Sequence, residues 1–444
     1  MSQRLLKFSQ GVLSALIAYP LAEKIEKRDV RTKWRELKRH YRLPFEQRKE
    51  IAQQRIIETV EFASQHVPYY QDLFKSISFD VSRLKKDPAY FLDIPLLTKD
   101  IIREQGDRML STQLADIRHH VCKTGGSTGL SAHIFYDQIA ADYSAAITLF
   151  ARDAIGKSKR KFETHFACRF PDGAPPKGMT REDYKCLAMN RRNIFFDSVD
   201  DAGLEEIWQA LKKNPTYLVH AHPSTIYALA CYIEGTQSSG KAFDVFESSG
   251  ELLEPYMREL ISKALQCRVI DRYGLAELGV MAYEFSKQGG LKVFDSEGWP
   301  ESIPINDCPG DEELIFTGFR NRLMPLIRYC TGDMAKVESR NDGFYLTNVV
   351  GRIHDIVPIN GVDHPTHHIQ DMLDHRVGGI QEFQIDLRQQ PPLLKIVPEP
   401  TANNDEIKQK VEGFWGTGFE VAFVGHEDFV RVGRHAKFRH VVTQ

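Results

Sequence analysis

Apolar residues recur every three or four positions over residues 45–66, and the pattern stops ahead of Pro68. That spacing predicts an amphipathic helix, because positions i, i+3, i+4 and i+7 share one helical face. A second helix is predicted behind Thr98, a good N-cap, and ends at Gly106. Between residues 130 and 350 strand-like and helix-like runs alternate. The strand-like runs are "IFFDSV" (194–199), "TYLVHAH" (216–222), "AFDVFESS" (242–249) and "CRVIDRYG" (267–274). Helix-like runs fill the gaps at 204–213, 223–235 and 254–266, the second beginning on Pro223. Such alternation is the α/β signature of mostly parallel sheets. Near residue 354 the pattern changes. Two strands in "GGIQEFQIDLRQQPPLLKIVPEP", a helix over 405–415 and a strand over 419–424 predict a small α+β unit. The expected organisation is therefore a large unit over 1–353, with mixed and parallel sheets and helices, and a small one over 354–444.

Composition narrows the function. The chain has 444 residues, 42% of them hydrophobic and 27% charged, which suits a globular protein with a large core. A net charge of −2 argues against a nucleic-acid partner. The seven cysteines are scattered without a C-x-x-C pair, which speaks against a disulfide framework or a cysteine zinc site and suits a reducing cytoplasm. Residues 1–55 carry 14 Lys/Arg against 6 Asp/Glu, and "VLSALIAYPLA" (12–22) lies among them. That run falls short of the about 20 apolar residues needed to span a bilayer. It leaves three readings open: a helix docked on its own protein, peripheral contact with the inner face of a membrane, or a weak signal peptide.

The chemistry begins at "KTGGSTGLS" (123–131), between a strand-like "HHVCKT" and "HIFYD", which leads into a helix-like stretch. Glycines and hydroxyls at this density suit a phosphate chain, since backbone amides can approach an anion closely. Neither the Walker spacing nor the dinucleotide spacing is present, so a plain surface turn stands beside the phosphate reading. His220 and His222 alternate on a predicted strand and fit either a core or a polar substrate wall. Arg191 and Arg192 fit a solvated turn or an anionic substrate. His364, His367 and His368 have a helical spacing that a metal can use, without a second cluster beside it.

Four stretches follow the glycine loop: "ESSGELL" (247–253), "DRYGLAELG" (271–279), "PLIRYCTGDMAKV" (325–337) and "GRIHDIV" (351–357), with "HAKFRHVV" (435–442) near the end. In this order they resemble the adenylate-forming ligases, and most of all the phenylacetate–coenzyme A ligase family and its capsular-polysaccharide-associated relatives. The resemblance extends to "RIIETVEFASQHVPYYQDLF" (55–74) and "IPLLTKDIIREQ" (94–105), and "GDEELIFTGFRNRLMPLIRYCTGD" (310–333) is its most specific part.

The resemblance implies roles. Thr124, Gly126, Ser127, Thr128 and Gly129 would wrap the ATP phosphates, with Lys123 nearby. Ser249, Gly250 and Glu251 would line the adenine. Asp271, Arg272, Tyr273 and Gly274 would form the nucleotide motif, Tyr273 stacking on the base and Glu277 holding Mg²⁺. Asp333 would take both ribose hydroxyls, and Arg352 would approach the same sugar. His354 would be the hinge of a mobile C-terminal domain that delivers Lys437 to the attacking carboxylate. His220, His222 and Pro223 would border the acyl pocket, with residues 133–150 and 191–196.

The implied reaction joins a carboxylic acid to ATP, giving acyl-AMP and pyrophosphate. The acyl group then passes to an acceptor: coenzyme A, or an amine that can belong to a sugar in polysaccharide biosynthesis. Three positions depart from the family pattern: Leu130, Ala276 where Thr or Ser is usual, and His354. They leave open a non-catalytic member that binds nucleotide or acyl groups.

Overall fold

The computed structural model describes all residues except 1–8, 124–131, 169–178, 197–198, 215, 237–239, 287–288, 305–311, 351–355, 426–427, 433–436, 439 and 443–444. Among the described residues, five strands form a parallel sheet in the order Arg191–Phe196, Glu163–Cys168, Thr216–Ala221, Phe243–Ser248, Arg268–Ile270. Helices Arg181–Met189, Asp201–Lys213, Pro223–Gly235 and Pro255–Ala264 make the crossovers. Each begins as its sequence dictates. Asp200 accepts from the Gly203 amide, Thr180 and Asp183 close a capping box, and Pro223 and Pro255 occupy first-turn positions where no amide hydrogen is needed. Apolar faces of these helices, with Trp208, Leu211, Ile226 and Leu229, bury against Val219 and Phe246 of the sheet.

The alternation stops at Ile270. The run "CRVIDRYG" divides there: Arg268–Ile270 ends the parallel sheet, and Arg272–Leu275 begins an antiparallel one. This second sheet has seven strands, ordered Gly298–Pro304, Glu312–Gly318, Tyr329–Arg340, Gly343–Val350, Leu291–Val293, Gly279–Tyr283, Arg272–Leu275. The sheets are thus mixed, with a larger antiparallel share than alternation alone predicts. The physical reason lies in the connections: short turns between the later strands permit hairpins, whereas parallel neighbours need a long crossover.

The helix Phe45–His66 and its successors pack Ile56, Val60, Tyr70 and Phe74 against Leu326, Ile327 and Tyr329. The Tyr70 hydroxyl donates to the Pro325 carbonyl at 3.0 Å. Leu97 joins Tyr329 as a parallel bridge, its amide donating to the Arg328 carbonyl at 2.9 Å. That bridge sets the register of the next helix, Lys99–Gln105, whose cap is Thr98 as predicted. The hairpin His119–Lys123 with His133–Asp137 flanks the glycine loop and runs into the helix Gln138–Ala154.

Strands Ile380–Asp386, Leu393–Pro398, Glu420–Phe423 and Val441–Val442 form a four-stranded sheet. With the helix Asn404–Trp415 they enclose a core drawn from residues 357–441, including Ile369, Phe383, Ile396 and Trp415. His364 sits on the strand Val362–Pro365, and His367 and His368 on the helix behind it, so the three do not share one helix.

Candidate active site

Two segments carry the site. One is the hairpin Arg272–Leu275 to Gly279–Tyr283; the other is the strand Tyr329–Arg340. Side-chain hydrogen bonds link them. The Tyr273 hydroxyl donates to Asp333 Oδ2 at 2.7 Å, and the Tyr329 hydroxyl donates to Glu277 Oε1 at 2.9 Å. Burial, and then the Asp333 carboxylate, push the Tyr273 phenol far above its ordinary range, so it remains a donor. Sequence reasoning proposed Tyr273, Glu277 and Asp333 separately; the tertiary structure brings them into one clamp. Gly274 is needed at its place, because a Cβ there would lie 2.7 Å from the Gly279 carbonyl oxygen across the hairpin.

Glu277 is buried, and Lys99 Nζ lies 3.4 Å from the same Oε1. Lys99 is itself only 7% exposed. No motif pointed to it, although one signal was present. It occupies the first turn of its helix, where the macrodipole disfavours a cation. A buried lysine in that position has its charge directed at something else. A carboxylate so placed suits a hard divalent cation, which prefers oxygen ligands.

The glycine loop itself, with Thr124, Gly126, Ser127, Thr128, Gly129 and Leu130, lies outside the described residues, as do Arg352 and His354. The base of that loop is tied to the clamp: Cys122 Sγ donates to the Ala276 carbonyl at 3.2 Å. Burial, and then Glu277, carry the Cys122 thiol up to about 12, so it stays protonated. The backbone of Lys437 runs in a short ribbon, paired with Val432; its side chain is outside the described set.

The adenine-side stretch reaches the histidines. Gly250 has φ +86, and a Cβ on it would meet His222 Nε2 at 2.6 Å, so glycine is required twice over. Glu251 caps the helix behind His222, its two oxygens accepting from the Ser224 amide at 3.0 Å and the Ser224 hydroxyl at 2.9 Å. Ser249 is half-buried, and its amide donates to the Ala221 carbonyl. Pro223 is buried at the helix start. His222 is the N-cap of that helix, one residue past the strand that ends at Ala221, with its backbone still extended. His220 lies with its Nδ1 2.8 Å from Glu247 Oε2. Burial holds its pKa below the ordinary histidine value.

Arg272 faces the same interior as His220, with Nη1 3.7 Å from Glu247 Oε2. Asp271 sits at the switch between sheets. Its amide donates to Glu284 and its carboxylate accepts from the Arg272 amide, each at 2.8 Å. Burial raises the Asp271 carboxyl to about 6. Arg191 and Arg192 are spent within the fold, Arg191 on Glu182 and Arg192 on Thr164 and the Ala210 carbonyl.

A cavity of about 80 Å³ opens beside Ala276 and Glu277. Tyr136, Ser144 and Ile147 line one side, inside the predicted 133–150 stretch; none of its lining comes from 191–196 or 220–227. Arg320 lines it too, paired with Glu297 at 3.0 Å and lying 3.6 Å over the Tyr143 ring.

The chain aligns along 90% of its length with the crystal structure of 2-hydroxyisobutyryl-CoA ligase in its postadenylation state. It covers 90% of that chain, with a TM-score of 0.55 at 16% identity. The chain has the adenylate-forming ligase fold. An open conformation of the same ligase, in complex with 2-HIB-AMP and CoA, agrees at a TM-score of 0.54, 17% identity and 90% and 93% coverage. No protein-family model matches. Among curated proteins, Protein CapK of Staphylococcus aureus is 25% identical over 322 residues, 69% of this chain and 68% of its own length. Indoleacetate–lysine synthetase of Pseudomonas savastanoi is 28% identical over 131 residues, 29% of this chain and 31% of its own.

Proposed function

We propose that the chain is an AMP-forming carboxylate ligase of the phenylacetate–coenzyme A ligase type, built as a large nucleotide-binding unit to residue 353 and a mobile unit after it. The observation that supports this most is the double clamp, Tyr273 to Asp333 and Glu277 to Tyr329 and Lys99. In this reading the residues implied for base, ribose and metal stand on a hairpin, Glu277 in its turn, and on the strand Tyr329–Arg340, tied together by their own hydrogen bonds.

The chemistry asks little covalent work of the protein. The acid's carboxylate oxygen attacks the α-phosphorus of ATP, a new P–O bond forms, and the bond to pyrophosphate breaks. Positioning and charge stabilisation account for most of such an acceleration. Asp333, held by the bond it accepts from Tyr273, would accept from the ribose hydroxyls. Lys99, already buried, offers a preorganised cation to phosphate oxygens, and Lys437 is delivered by the mobile unit as the charge develops. Glu277 would hold Mg²⁺, which when bound neutralises phosphate charge. Ala276 offers no hydroxyl to the α-phosphate, so amides and cations carry that duty.

We favour an amine acceptor, of the kind found on a sugar in polysaccharide assembly, over free coenzyme A. The likeness to a synthetase whose name couples an acid to lysine supports an amine, and the likeness to the coenzyme A ligase supports the thioester. ATP–pyrophosphate exchange with a panel of carboxylic acids tests the first half-reaction. Lys437→Ala should abolish exchange while keeping nucleotide affinity; undiminished exchange by that variant would refute the assignment. With the cognate acid in hand, amide formation on amino-sugar nucleotides is expected, and rapid saturable thioester formation without amide would reverse the choice of acceptor.

A further inference from the structure

The helical segment 9–26 wears its apolar residues on the outside. Leu13, Leu16, Ile17, Leu21 and Ile25 are between 49% and 71% exposed, at spacings of three and four that place them on one face. Its inner face is held by other means. The Ser14 hydroxyl donates to the Leu187 carbonyl at 2.8 Å, Glu23 is buried against Arg31, and the backbone at Gly11 passes so near the Arg160 carbonyl that a Cβ has no room. The helix is therefore docked by small and polar residues together with Tyr19, which is buried in a core shared with Val30 and Leu37, and five aliphatic side chains are left in water. The patch continues onto the helix Arg181–Met189 that packs beside it, where Tyr184 and Leu187 are exposed as well. Its area is on the order of the few hundred Å² at which monomer surfaces usually stop.

Cations accompany the stripe. Lys24 shares its face, three residues after Leu21 and seven after Ile17, and Lys27 follows at the helix end. Arg35, Arg39 and Arg42 are exposed on and just past the next helix, Val30–His40. Among the described residues these five form no ion pair, unlike Arg28 with Asp142 or Lys38 with Asp153. Residues 1–55 hold +8 in a chain whose total is −2, which leaves −10 for the remainder. Positive charge is thus concentrated in the segment of the chain that carries the exposed apolar stripe.

We propose that this face docks on an anionic lipid bilayer, lying in the interface with Leu13, Leu16, Ile17, Leu21 and Ile25 below the headgroups and the lysines level with them. Aliphatic stripe, interleaved lysines and a positive flank are the features that bind a helix in the plane of a charged membrane. No described helix is long and apolar enough to cross one. A second copy is the poorer occupant, because a two-fold contact through this face would set its cations against themselves. The proposal is independent of the ligase reading.

Flotation with the full chain tests it. Vesicles of phosphatidylcholine with about one third phosphatidylglycerol should carry the protein at least tenfold better than phosphatidylcholine alone, less so in about 0.5 M salt. Ile17→Glu with Leu21→Glu should reduce capture about tenfold or more with an unchanged melting temperature, since both side chains face water. Lys24→Glu with Lys27→Glu should weaken capture about tenfold on anionic vesicles and leave the neutral ones unaffected. Equal capture on neutral vesicles, undiminished capture of the Ile17/Leu21 variant, or a dimer in sedimentation that this variant splits without any vesicle binding would each overturn the proposal.

Discussion

Glu247 and Glu277 are both buried carboxylates that accept from a tyrosine and face a cation, yet they sit in opposite kinds of surroundings. Glu247 is fully buried. Arg152 grips it through Nε and Nη2, the latter at 2.5 Å; Tyr283 donates to it at 2.6 Å; His220 lies 2.8 Å away and Arg272 stands behind. Arg152 also reaches Glu163, which Lys157 pairs at 2.6 Å. Burial alone would raise the Glu247 carboxyl, but Arg152 and His220 hold it well below the ordinary range. Both oxygens accept hydrogen bonds from side chains of the fold itself. Glu277 has Tyr329 and Lys99 on one oxygen and lies against a cavity. A carboxylate held on both oxygens is a strut, and one with coordination to spare beside open space is a candidate ligand.

Breaking the strut should have the largest effect. Arg152→Ala leaves two buried carboxylates without their shared partner and should cost about 3–5 kcal/mol of stability. Thermal or urea unfolding measures it, and a loss below about 1 kcal/mol would erase the distinction. Glu277→Gln keeps an acceptor for Tyr329 but removes the charge. Pyrophosphate exchange should fall about 10²–10³-fold, and the melting temperature should drop less than in Arg152→Ala, because Lys99 loses the charge of one buried partner whereas there two carboxylates lose theirs; an equal or larger melting shift would make Glu277 a second strut.

Asp271, at the seam between the two regions, sharpens the comparison through pH. Its carboxyl titrates near 6 when folded, raised by burial, against about 3.9 unfolded. Between about pH 4 and 6 the folded chain holds a proton that the unfolded chain has released, so stability falls as pH rises through that window. The term reaches about 3 kcal/mol. Asp271→Asn should lack this slope, and identical pH profiles for the two proteins would remove Asp271 from the account. The smallest effect is expected from Tyr273→Phe, which deletes the bond to Asp333 and should weaken ATP binding by about 1 kcal/mol, near fivefold. Titration with ATP reads it directly, and unchanged affinity would mean that the Asp333 carboxylate is positioned without Tyr273.

Much of this was legible in the chain itself. Periodicity located the helix Phe45–His66 to the residue and the crossover helices closely, because their apolar faces and caps are local features. The order of motifs pointed to the fold that the comparison with 2-hydroxyisobutyryl-CoA ligase bears out. Local pattern could not divide "CRVIDRYG" between two sheets, since a strand does not record which neighbour it will pair with. Nor could it separate His220 from His222: the strand ends at Ala221, and His220 is claimed by Glu247 from the adjoining strand at a matching register. Lys99 and Glu277 are 178 residues apart in the numbering, and the tertiary bridge of Leu97 to Tyr329 helps to set them side by side. The sequence by itself determined the elements, their order and the kinds of side chain available, because these follow from nearest neighbours along the chain. Which carboxylate became a strut and which stayed available was decided by the tertiary structure, because partner number and burial depend on residues that are distant until the chain folds.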